Sequence, residues 1–357
     1  MNNQNICSLL VGGISKSFNR ESMLNNVYEQ YGNDKIYQIA KQRKIIPFCA
    51  KSLEKKDNEF WRPVLESYRS RNKSIISFLD KAYETLDKYD AKKIFVSENF
   101  GALLLSGNDV GLFASGDIDN YAPISEKDKI YEAMRSIGCE IKERYAVNNQ
   151  IAAEFFPPKE FNLPEKFYFS VDFYPLARLK LPCFIDAERF INWDECTRYK
   201  DTSIRLANPT SLMYICLMHV SLHSFLRAPD YRLYVDLYNL SCCDIDYALI
   251  EKWTQQEHTT VRKTVSAHVS NMLMGTDIPI SDIKRAEKLY KYVYDEENKR
   301  LYPEPNVLKI MNIDIMCNDK SNLRGVGEIL FPDRIWMKKT YKSTSLIAYL
   351  KHFKRIF

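Results

Sequence analysis

Two aspartates separated by one residue are the part of this sequence best suited to chemistry. They lie in the run Gly116-Asp117-Ile118-Asp119, where a strand would turn both carboxylates to one side and Ile118 to the other. Carboxylates at this spacing can share divalent cations such as Mg²⁺, and Gly116 has no side chain to keep a phosphate from the backbone. The pattern favours chemistry on phosphates, although aspartates in tight turns produce the same letters.

A third carboxylate belongs to a separate apolar run. Asp172 follows Phe169-Ser170-Val171 and precedes Phe173, so it is expected on a strand that a sheet could place beside the first pair. Three carboxylates would then bind two Mg²⁺ ions. Such a cluster suits phosphoryl or nucleotidyl transfer, in which metal ions neutralise the triphosphate oxygens and align the attacking and leaving oxygens.

The sequence around these aspartates predicts short strands alternating with helices. The expected strands are 94–96, 117–123, 140–146, 150–156 and 166–175. A short apolar helix is expected at 100–105, and a longer one begins after an N-cap at Ser125 and ends at Gly138. Helices between strands imply a sheet with at least one crossover connection.

Helical patterns dominate on both sides of this region. Apolar residues three or four apart cover one face of 60–89, and further helices are expected at 212–226, 231–240 and 250–274. The chain is therefore expected to be an α+β protein with a small mixed-sheet core flanked by helical N-terminal and C-terminal regions. The expected boundaries are 1–90, 91–180 and 181–357.

Composition narrows the class of protein. The 51 Lys and Arg nearly balance the 46 Asp and Glu, and a net charge of +5 on 357 residues makes nucleic acid an unlikely partner. Nine scattered cysteines without a CxxC pair suit reduced thiols in a cytoplasmic protein. The chain has no apolar run of the roughly 18 residues that a membrane helix needs. P-loop, dinucleotide-binding and HExxH motifs are missing as well.

Several segments together resemble a known family, the uncharacterised bacterial nucleotidyltransferases of the polymerase-β-like superfamily. The resemblance covers the chain from about residue 90 to the end. It rests on Phe100-Gly101-Ala102-Leu103, Ser115-Gly116-Asp117-Ile118-Asp119, Met134-Arg135-Ser136-Ile137-Gly138, Ser170-Val171-Asp172-Phe173, Leu217-Met218-His219-Val220-Ser221-Leu222-His223-Ser224-Phe225, Arg232-Leu233-Tyr234-Val235-Asp236-Leu237, Leu330-Phe331-Pro332-Asp333 and Tyr349-Leu350-Lys351-His352-Phe353-Lys354-Arg355.

The resemblance implies a nucleotidyltransferase core and an enzyme that moves a nucleoside monophosphate from an NTP to an acceptor hydroxyl or phosphate, releasing pyrophosphate. The acceptor, whether a sugar, a small molecule, a peptide or a protein, is not identified by the sequence. Asp117, Asp119 and Asp172 would be both the catalytic residues and the Mg²⁺ ligands. Gly101 would open a helix whose N-terminus faces the phosphates, and Ser115 and Gly116 would also lie at the nucleotide.

The chain departs from the family pattern at three places. Phe100 stands where a lysine usually precedes the glycine, Phe113 stands where an arginine usually precedes the aspartates, and Asn120-Tyr121 replaces apolar residues. Each missing charged hydrogen bond to phosphate would weaken binding by about 1.5–3 kcal/mol. Lys92, Lys93 and Arg144 are candidates to replace these cations. The alternative is a catalytically silent relative that binds a nucleotide or a protein through the same cleft.

A second possible site lies on the 212–226 helix. Cys216, His219 and His223 are spaced as C-x-x-H-x-x-x-H, which fits metal ligands on one helix face and would suit a zinc-dependent hydrolase. The competing interpretation is a pair of histidines in a buried helix, hydrogen-bonded to Asp236, Arg227 or Arg232. The family resemblance suggests that the histidine pair positions the helical region against the cleft.

Overall fold

The computed structural model describes residues 3–15, 21–145, 151–173, 190–226, 230–257 and 259–281, and short stretches of the C-terminal part at 283–284, 290, 294–295, 300–301, 331–332 and 334–356. Among the positions discussed above, Ala146, Gln150, Pro175, Arg227, Leu330 and Asp333 lie outside the described residues.

Helices form the N-terminal region, as expected: α1 (Asn3–Gly12), α2 (Glu21–Gln42), α3 (Ile46–Leu53) and α4 (Asn58–Lys88). Asp57 caps α4 by accepting a hydrogen bond from the backbone of Phe60 at 3.1 Å. The apolar stripe of α4 is buried, including Leu65, Phe78 and Leu86. Burial of this stripe against the rest of the protein stabilises a helix of 31 residues.

A mixed sheet follows in the middle of the chain. Its strands and the helices between them are β1 (Phe95–Val96), α5 (Glu98–Ser106), β2 (Asp117–Tyr121), α6 (Lys127–Ser136), β3 (Glu140–Tyr145), β4 (Ile151–Phe156), β5 (Tyr168–Asp172), β6 (Thr197–Arg198) and β7 (Arg205–Leu206). Among the described residues the sheet has seven strands in the order β3-β4-β5-β2-β1-β7-β6. Strand β2 is parallel to β5 and antiparallel to β1. The expected α+β class with a mixed sheet is confirmed.

One face of the central strands packs on α4. Ile118, Phe169 and Val171 are fully buried, and the ring of Phe169 meets that of Phe78 edge-on at a centroid distance of 6.4 Å. The opposite face carries the alternate residues of β2 and β5 and is less buried. This alternation follows from the two-residue period of a strand.

Two local expectations were wrong. Helix α6 begins at Lys127 after a 3-10 turn at Ile124–Glu126, so the residue at its N-cap is Glu126, and Ser125 lies exposed in the preceding turn. The turn arises because the backbone N–H of Glu126 donates to the carbonyl of Pro123 at 3.0 Å.

The expected helix 250–274 is in fact two helices. The C-terminal helices are α7 (Pro209–Leu226), α8 (Arg232–Ser241), α9 (Tyr247–Gln256), α10 (Thr260–Met274), α11 (Arg334–Tyr341) and α12 (Leu346–Ile356), with a two-stranded ribbon of β8 (Tyr294–Asp295) and β9 (Arg300–Leu301). The N–H of Thr259 bonds to the carbonyl of Thr254 at 2.7 Å, and its buried hydroxyl bonds to Tyr214 at 3.1 Å. These bonds replace the regular helical ones and end α9.

The three expected regions share one hydrophobic core. A continuous cluster of buried side chains runs from Ile6 in α1 through the sheet to Met274 in α10. Helix α4 contacts α6 and the loop before β2, while α8 packs on α5. A shared core does not by itself locate domain boundaries, so those at 90 and 180 stay predictions. In the described part of the chain, no helix is long and apolar enough to cross a membrane.

Candidate active site

The parallel pairing of β2 with β5 brings the three aspartates onto one face of the sheet. Asp117 lies opposite Tyr168, Asp119 opposite Ser170, and Asp172 opposite Tyr121. All three aspartates are half-buried. Asp172 is thus a diagonal neighbour of Asp119, and strand geometry separates their Cα atoms by roughly 8 Å.

Two hydroxyl groups orient the carboxylate of Asp117. Ser115 Oγ donates to Oδ1 of Asp117, and the phenol of Tyr168 donates to Oδ2 at 2.9 Å. Partial burial of Tyr168, followed by the charge of Asp117, raises the pKa of this phenol to about 12. The phenol therefore remains a hydrogen-bond donor throughout the neutral range, and Asp117 keeps a fixed orientation.

Tyr121 connects the aspartates to the start of α5. Burial, and then the charges of Glu98, Asp172 and Asp119, raises the pKa of Tyr121 well above its usual range. Its hydroxyl donates to Oε1 of Glu98, and Oε2 of Glu98 lies 3.1 Å from Nδ1 of His219 on α7. This chain of contacts links β2, α5 and α7.

The backbone at Glu98 is strained. Its φ angle of +46° falls in the left-handed region, which residues other than glycine rarely adopt. Such a conformation costs on the order of 1–3 kcal/mol and persists only where surrounding contacts enforce it. The contacts with Tyr121 and His219 are of this kind, since both hold the Glu98 side chain at the first position of α5.

The two glycines differ in their surroundings. Gly101 is buried, and a Cβ at this position would meet the carbonyl oxygen of Val96 at 2.5 Å. Gly101 is therefore required for the close approach of α5 to β1. Gly116 is exposed, and its Cβ would meet only the carbonyl of Lys166 at 3.9 Å. The space over Gly116 is open, which fits the backbone approach expected for a phosphate.

Phe100 and Phe113, which the sequence comparison placed where cations were expected, are neighbours in space. The rings of Phe100 and Phe113 lie 4.6 Å apart between centroids, and both side chains are almost fully buried. Arg71 of α4 lies 5.7 Å from the ring centroid of Phe113 and donates to the carbonyls of Phe113 and Ser115. A cation from α4 thus holds the loop before β2, with its donors directed at the backbone.

The cations expected as replacements are already paired or distant. Lys92 is exposed, and its Nζ lies 2.8 Å from Oδ1 of Asp90. It precedes β1, whose first residue pairs with Tyr121 at the end of β2 and not with the start of β2. Lys93 is also exposed at that end. Arg144 forms an ion pair with the buried carboxylate of Glu154.

Arg144 also lies close to the site, with its guanidinium carbon 5.8 Å from the ring centroid of Tyr168, and a second arginine lies near it. Arg232 of α8 lines a cavity together with Ser115, Asn99 of α5 and Phe113. Burial opposes its charge, but the carboxylates of Asp230, Asp236 and Asp117 raise the pKa of Arg232 further than burial lowers it. Ser115, which lines the same cavity, also donates to Asp117, so the cavity adjoins a partner of the first aspartate.

The polar residues that follow the aspartates have a structural role. Asn120 is fully buried; its Oδ1 accepts from the hydroxyl of Tyr83 at 2.8 Å, and its Nδ2 donates to the carbonyl of Ser170 at 2.9 Å. Both the oxygen and the nitrogen of this buried amide are hydrogen-bonded, so Asn120 connects α4 with β2 and β5. An apolar residue would lose this connection.

The donor set fits Mg²⁺ by its chemistry, since carboxylate oxygens are the ligands that this ion prefers. Two buried polar atoms at the start of α5, Ser97 Oγ and Asn99 Oδ1, lack a hydrogen-bond partner among the described residues. Unsatisfied buried groups are costly and are expected to find a ligand or water. In the described ranges, no group of three or more His, Cys, Asp or Glu side chains is placed so that it could hold a metal ion.

Cys216 and His219 are both on α7, but their surroundings differ from those of a zinc site. Burial, and then the charges of Asp236 and Glu98, raises the pKa of the Cys216 thiol well above its usual range, which disfavours the thiolate that zinc binds. His219 instead faces Glu98. The side chain of His223 lies outside the described part of the structure.

Sequence reasoning missed the partners that β2 and α5 bring together. Tyr168 and Glu98 carry no motif, and their contacts depend on strand register and on the position of α7. The sequence identified Arg232 as a possible histidine partner and as part of a segment that carries the resemblance, but not as a residue near the aspartates. Comparisons with protein-family models, with curated proteins and with solved structures found no match.

Proposed function

We propose that this chain is a Mg²⁺-dependent nucleotidyltransferase, related to the family that its motifs resemble. It would transfer a nucleoside monophosphate from an NTP to an acceptor hydroxyl or phosphate and release pyrophosphate. The observation that carries the proposal is the pairing of β2 with β5, which sets Asp117, Asp119 and Asp172 on one sheet face beside the start of α5. Open space at Gly116 supports it further.

The three aspartates have two different roles in the proposed reaction. Asp117, held by Ser115 and Tyr168, and Asp119 would hold the triphosphate end of the substrate through bound Mg²⁺. Bound Mg²⁺ neutralises phosphate charge and makes pyrophosphate a better leaving group. Asp172, from the neighbouring strand, would accept the proton of the acceptor hydroxyl. The acceptor oxygen then bonds to the α-phosphorus as the bond from that phosphorus to pyrophosphate breaks.

A direct test uses the purified full chain with each of the four NTPs, Mg²⁺ and cell extract as the source of acceptor. The proposal predicts pyrophosphate release that stops when Mg²⁺ is chelated, together with a product heavier by one nucleotide in mass spectrometry. Heat-treated protein serves as the control. The absence of nucleotide addition with every NTP and extract fraction would contradict the proposal.

A catalytically silent nucleotide-binding relative is the second candidate. The apolar contact between Phe100 and Phe113 favours it, because the two positions that carry cations in the family are buried here against each other. This candidate predicts Mg²⁺-dependent NTP binding in calorimetry without pyrophosphate release. Binding accompanied by release would exclude it.

We also infer that the protein acts in the cytoplasm. The cysteines whose pairing the structure describes are all free thiols, among them the buried Cys7, Cys49 and Cys216. Free thiols persist in a reducing compartment. Fractionation of cells that make the protein should recover it with cytoplasmic markers, and recovery with secreted proteins would contradict the inference.

A further inference from the structure

A cavity lies between α5, α8 and the loop before β2, and its lining includes Ser115, whose hydroxyl bonds to Asp117. Its wall is mainly apolar, with Leu103, Phe113 and Val235 among its members, and its polar members include Asn99 and Arg232. Small-molecule sites commonly have this composition, with a few polar groups that converge on the ligand. Arg232 is the cation among the residues that line it.

Asp230 fixes the guanidinium of Arg232. The Nε atom of Arg232 donates to the two carboxylate oxygens at 2.9 and 3.1 Å, and Nη2 donates to Oδ2. Within the described part of the chain, Nη1 donates no hydrogen bond. The side chain is 20% exposed. An arginine fixed on one edge by a carboxylate can present its remaining N–H groups to a second anion without losing much conformational entropy.

The neighbours of Arg232 favour an anion at Nη1. Asp236 also lines the cavity, and burial, followed by the charges of Glu98 and Asp230, raises the pKa of this carboxyl well above its usual range, which disfavours its charged form. The Oδ1 atom of Asn99 is buried and has no hydrogen-bond partner among the described residues. Rotating this amide by half a turn exchanges oxygen for NH₂ and would offer an anion a second donor.

We propose that Arg232, anchored by Asp230, is the residue that binds the terminal phosphates of the NTP in this cavity. The inference rests on the proposed function, because that function places a triphosphate at β2. It accounts for the absence of cations at Phe100 on α5 and at Phe113 in the loop before β2, because Arg232 on α8 supplies the positive charge instead. Arg232 then contacts the pyrophosphate that leaves.

Calorimetry with inorganic tripolyphosphate, and separately with ATP and Mg²⁺, tests the assignment in the full chain. Arg232→Gln should weaken tripolyphosphate binding at least tenfold, which corresponds to about 1.4 kcal/mol. The control is Arg198→Gln, since Arg198 is 60% exposed and pairs with Asp87 on the surface. The control should bind within twofold of the unmodified chain.

A second measurement needs no variant and so does not depend on folding of the glutamine protein. Phenylglyoxal modifies accessible arginines, and peptide mapping gives the extent at each position. Tripolyphosphate should slow modification of Arg232 at least fivefold and leave Arg198 unchanged. Equal modification of Arg232 with and without tripolyphosphate overturns the assignment.

The outcomes separate this inference from the proposed function. Arg232-dependent binding without any nucleotide transfer keeps the phosphate site and rejects the transferase. Nucleotide transfer that is insensitive to Arg232→Gln, in both KM and kcat, keeps the transferase and rejects the phosphate site. Failure of the unmodified chain to bind tripolyphosphate also rejects the site.

Discussion

At the scale of single residues, the hydrogen-bond partners of the aspartates determine how their carboxylates are oriented on the sheet face. The alternation of Asp117, Ile118 and Asp119 could be predicted from the sequence because side chains alternate on any strand. The partners could not, since Tyr168 reaches Asp117 only through the register of β2 with β5. Register depends on packing of both faces, which a single strand does not encode.

Asp172→Asn should separate binding from chemistry. Asp172 comes from β5 and lies diagonally from Asp119, so it is expected on the acceptor side rather than at the triphosphate. The variant should bind NTP and Mg²⁺ within a few-fold of the unmodified chain and transfer nucleotide about 100-fold more slowly. Calorimetry with a non-hydrolysable NTP and a transfer assay measure the two quantities.

The exposed carboxylate of Asp128 on α6 provides the matched control for that experiment. Asp128→Asn should leave both binding and transfer unchanged. If Asp172→Asn lost binding and transfer equally, Asp172 would belong with the nucleotide, and unchanged transfer would remove it from the active site.

At the scale of elements, the start of α5 determines what can approach β2. Ser97, Glu98 and Gly101 fall within its first turns, and each has an unusual environment: an unsatisfied hydroxyl, a left-handed backbone and a close backbone contact. The sequence predicted a short helix at 100–105, and the structure has it from Glu98 to Ser106. The sequence did not predict the packing role of Gly101, because the contact with Val96 depends on how α5 folds back over β1.

Gly101→Ala and Gly116→Ala form a matched pair. Alanine at 101 would press against the carbonyl of Val96, so we expect a loss of about 1–3 kcal/mol in the free energy of unfolding. Alanine at 116 meets no atom closer than 3.9 Å, and its stability should change by less than about 0.5 kcal/mol. Denaturant titration of both proteins measures this. Equal stability of the two variants would show that the close contact at Gly101 is relieved at no cost.

The contact between α5 and α7 predicts an energetic coupling. His219→Ala should reduce stability by about 1–3 kcal/mol, because it removes the imidazole next to Oε2 of the largely buried Glu98 and leaves Tyr121 as the partner of Oε1. In a double-mutant cycle with Glu98→Ala, the coupling energy should be about 0.5–3 kcal/mol. Additive effects would mean that the two side chains do not interact. Stoichiometric zinc that His219→Ala releases would instead revive the metal-site interpretation.

The division of 250–274 into α9 and α10 shows where pattern reasoning fails for an element. The apolar spacing of the two helices is compatible with a single helix, and a buried residue with a tertiary hydrogen bond lies between them. Thr259 bonds through its hydroxyl to Tyr214 of α7. A local sequence pattern carries no information about that tertiary bond. The long apolar stripe of α4, in contrast, predicted the bounds of that helix to within two residues.

At the scale of the whole molecule, the sequence predicted the α+β class and helical regions N-terminal and C-terminal to the sheet, because amphipathic patterns are strong over long segments. It did not predict that one core joins these regions. Tyr83 of α4 bonds to Asn120 of β2, and Arg205 of β7 bonds to the carbonyls of Ile94 and Ala91. These connections run between segments far apart in the chain.

A shared core predicts cooperative unfolding. Thermal unfolding followed by tryptophan fluorescence and by circular dichroism should give coincident transitions. Trp61 lies in α4 and Trp253 in α9, so fluorescence reports on both helical regions. Two transitions separated by several degrees would show that the regions fold independently, and would support boundaries near 90 and 180.

The most direct test of the account is the rate of Mg²⁺-dependent pyrophosphate release by the unmodified chain and by Asp117→Asn, measured with the active NTP and acceptor. Asp117 is fixed by Ser115 and Tyr168 on the proposed metal-binding face. We predict a loss on the order of 1000-fold, about 4 kcal/mol in transition-state stabilisation, with an unchanged melting temperature. A folded Asp117→Asn protein that releases pyrophosphate at the rate of the unmodified chain would contradict the assignment of this sheet face as the active site.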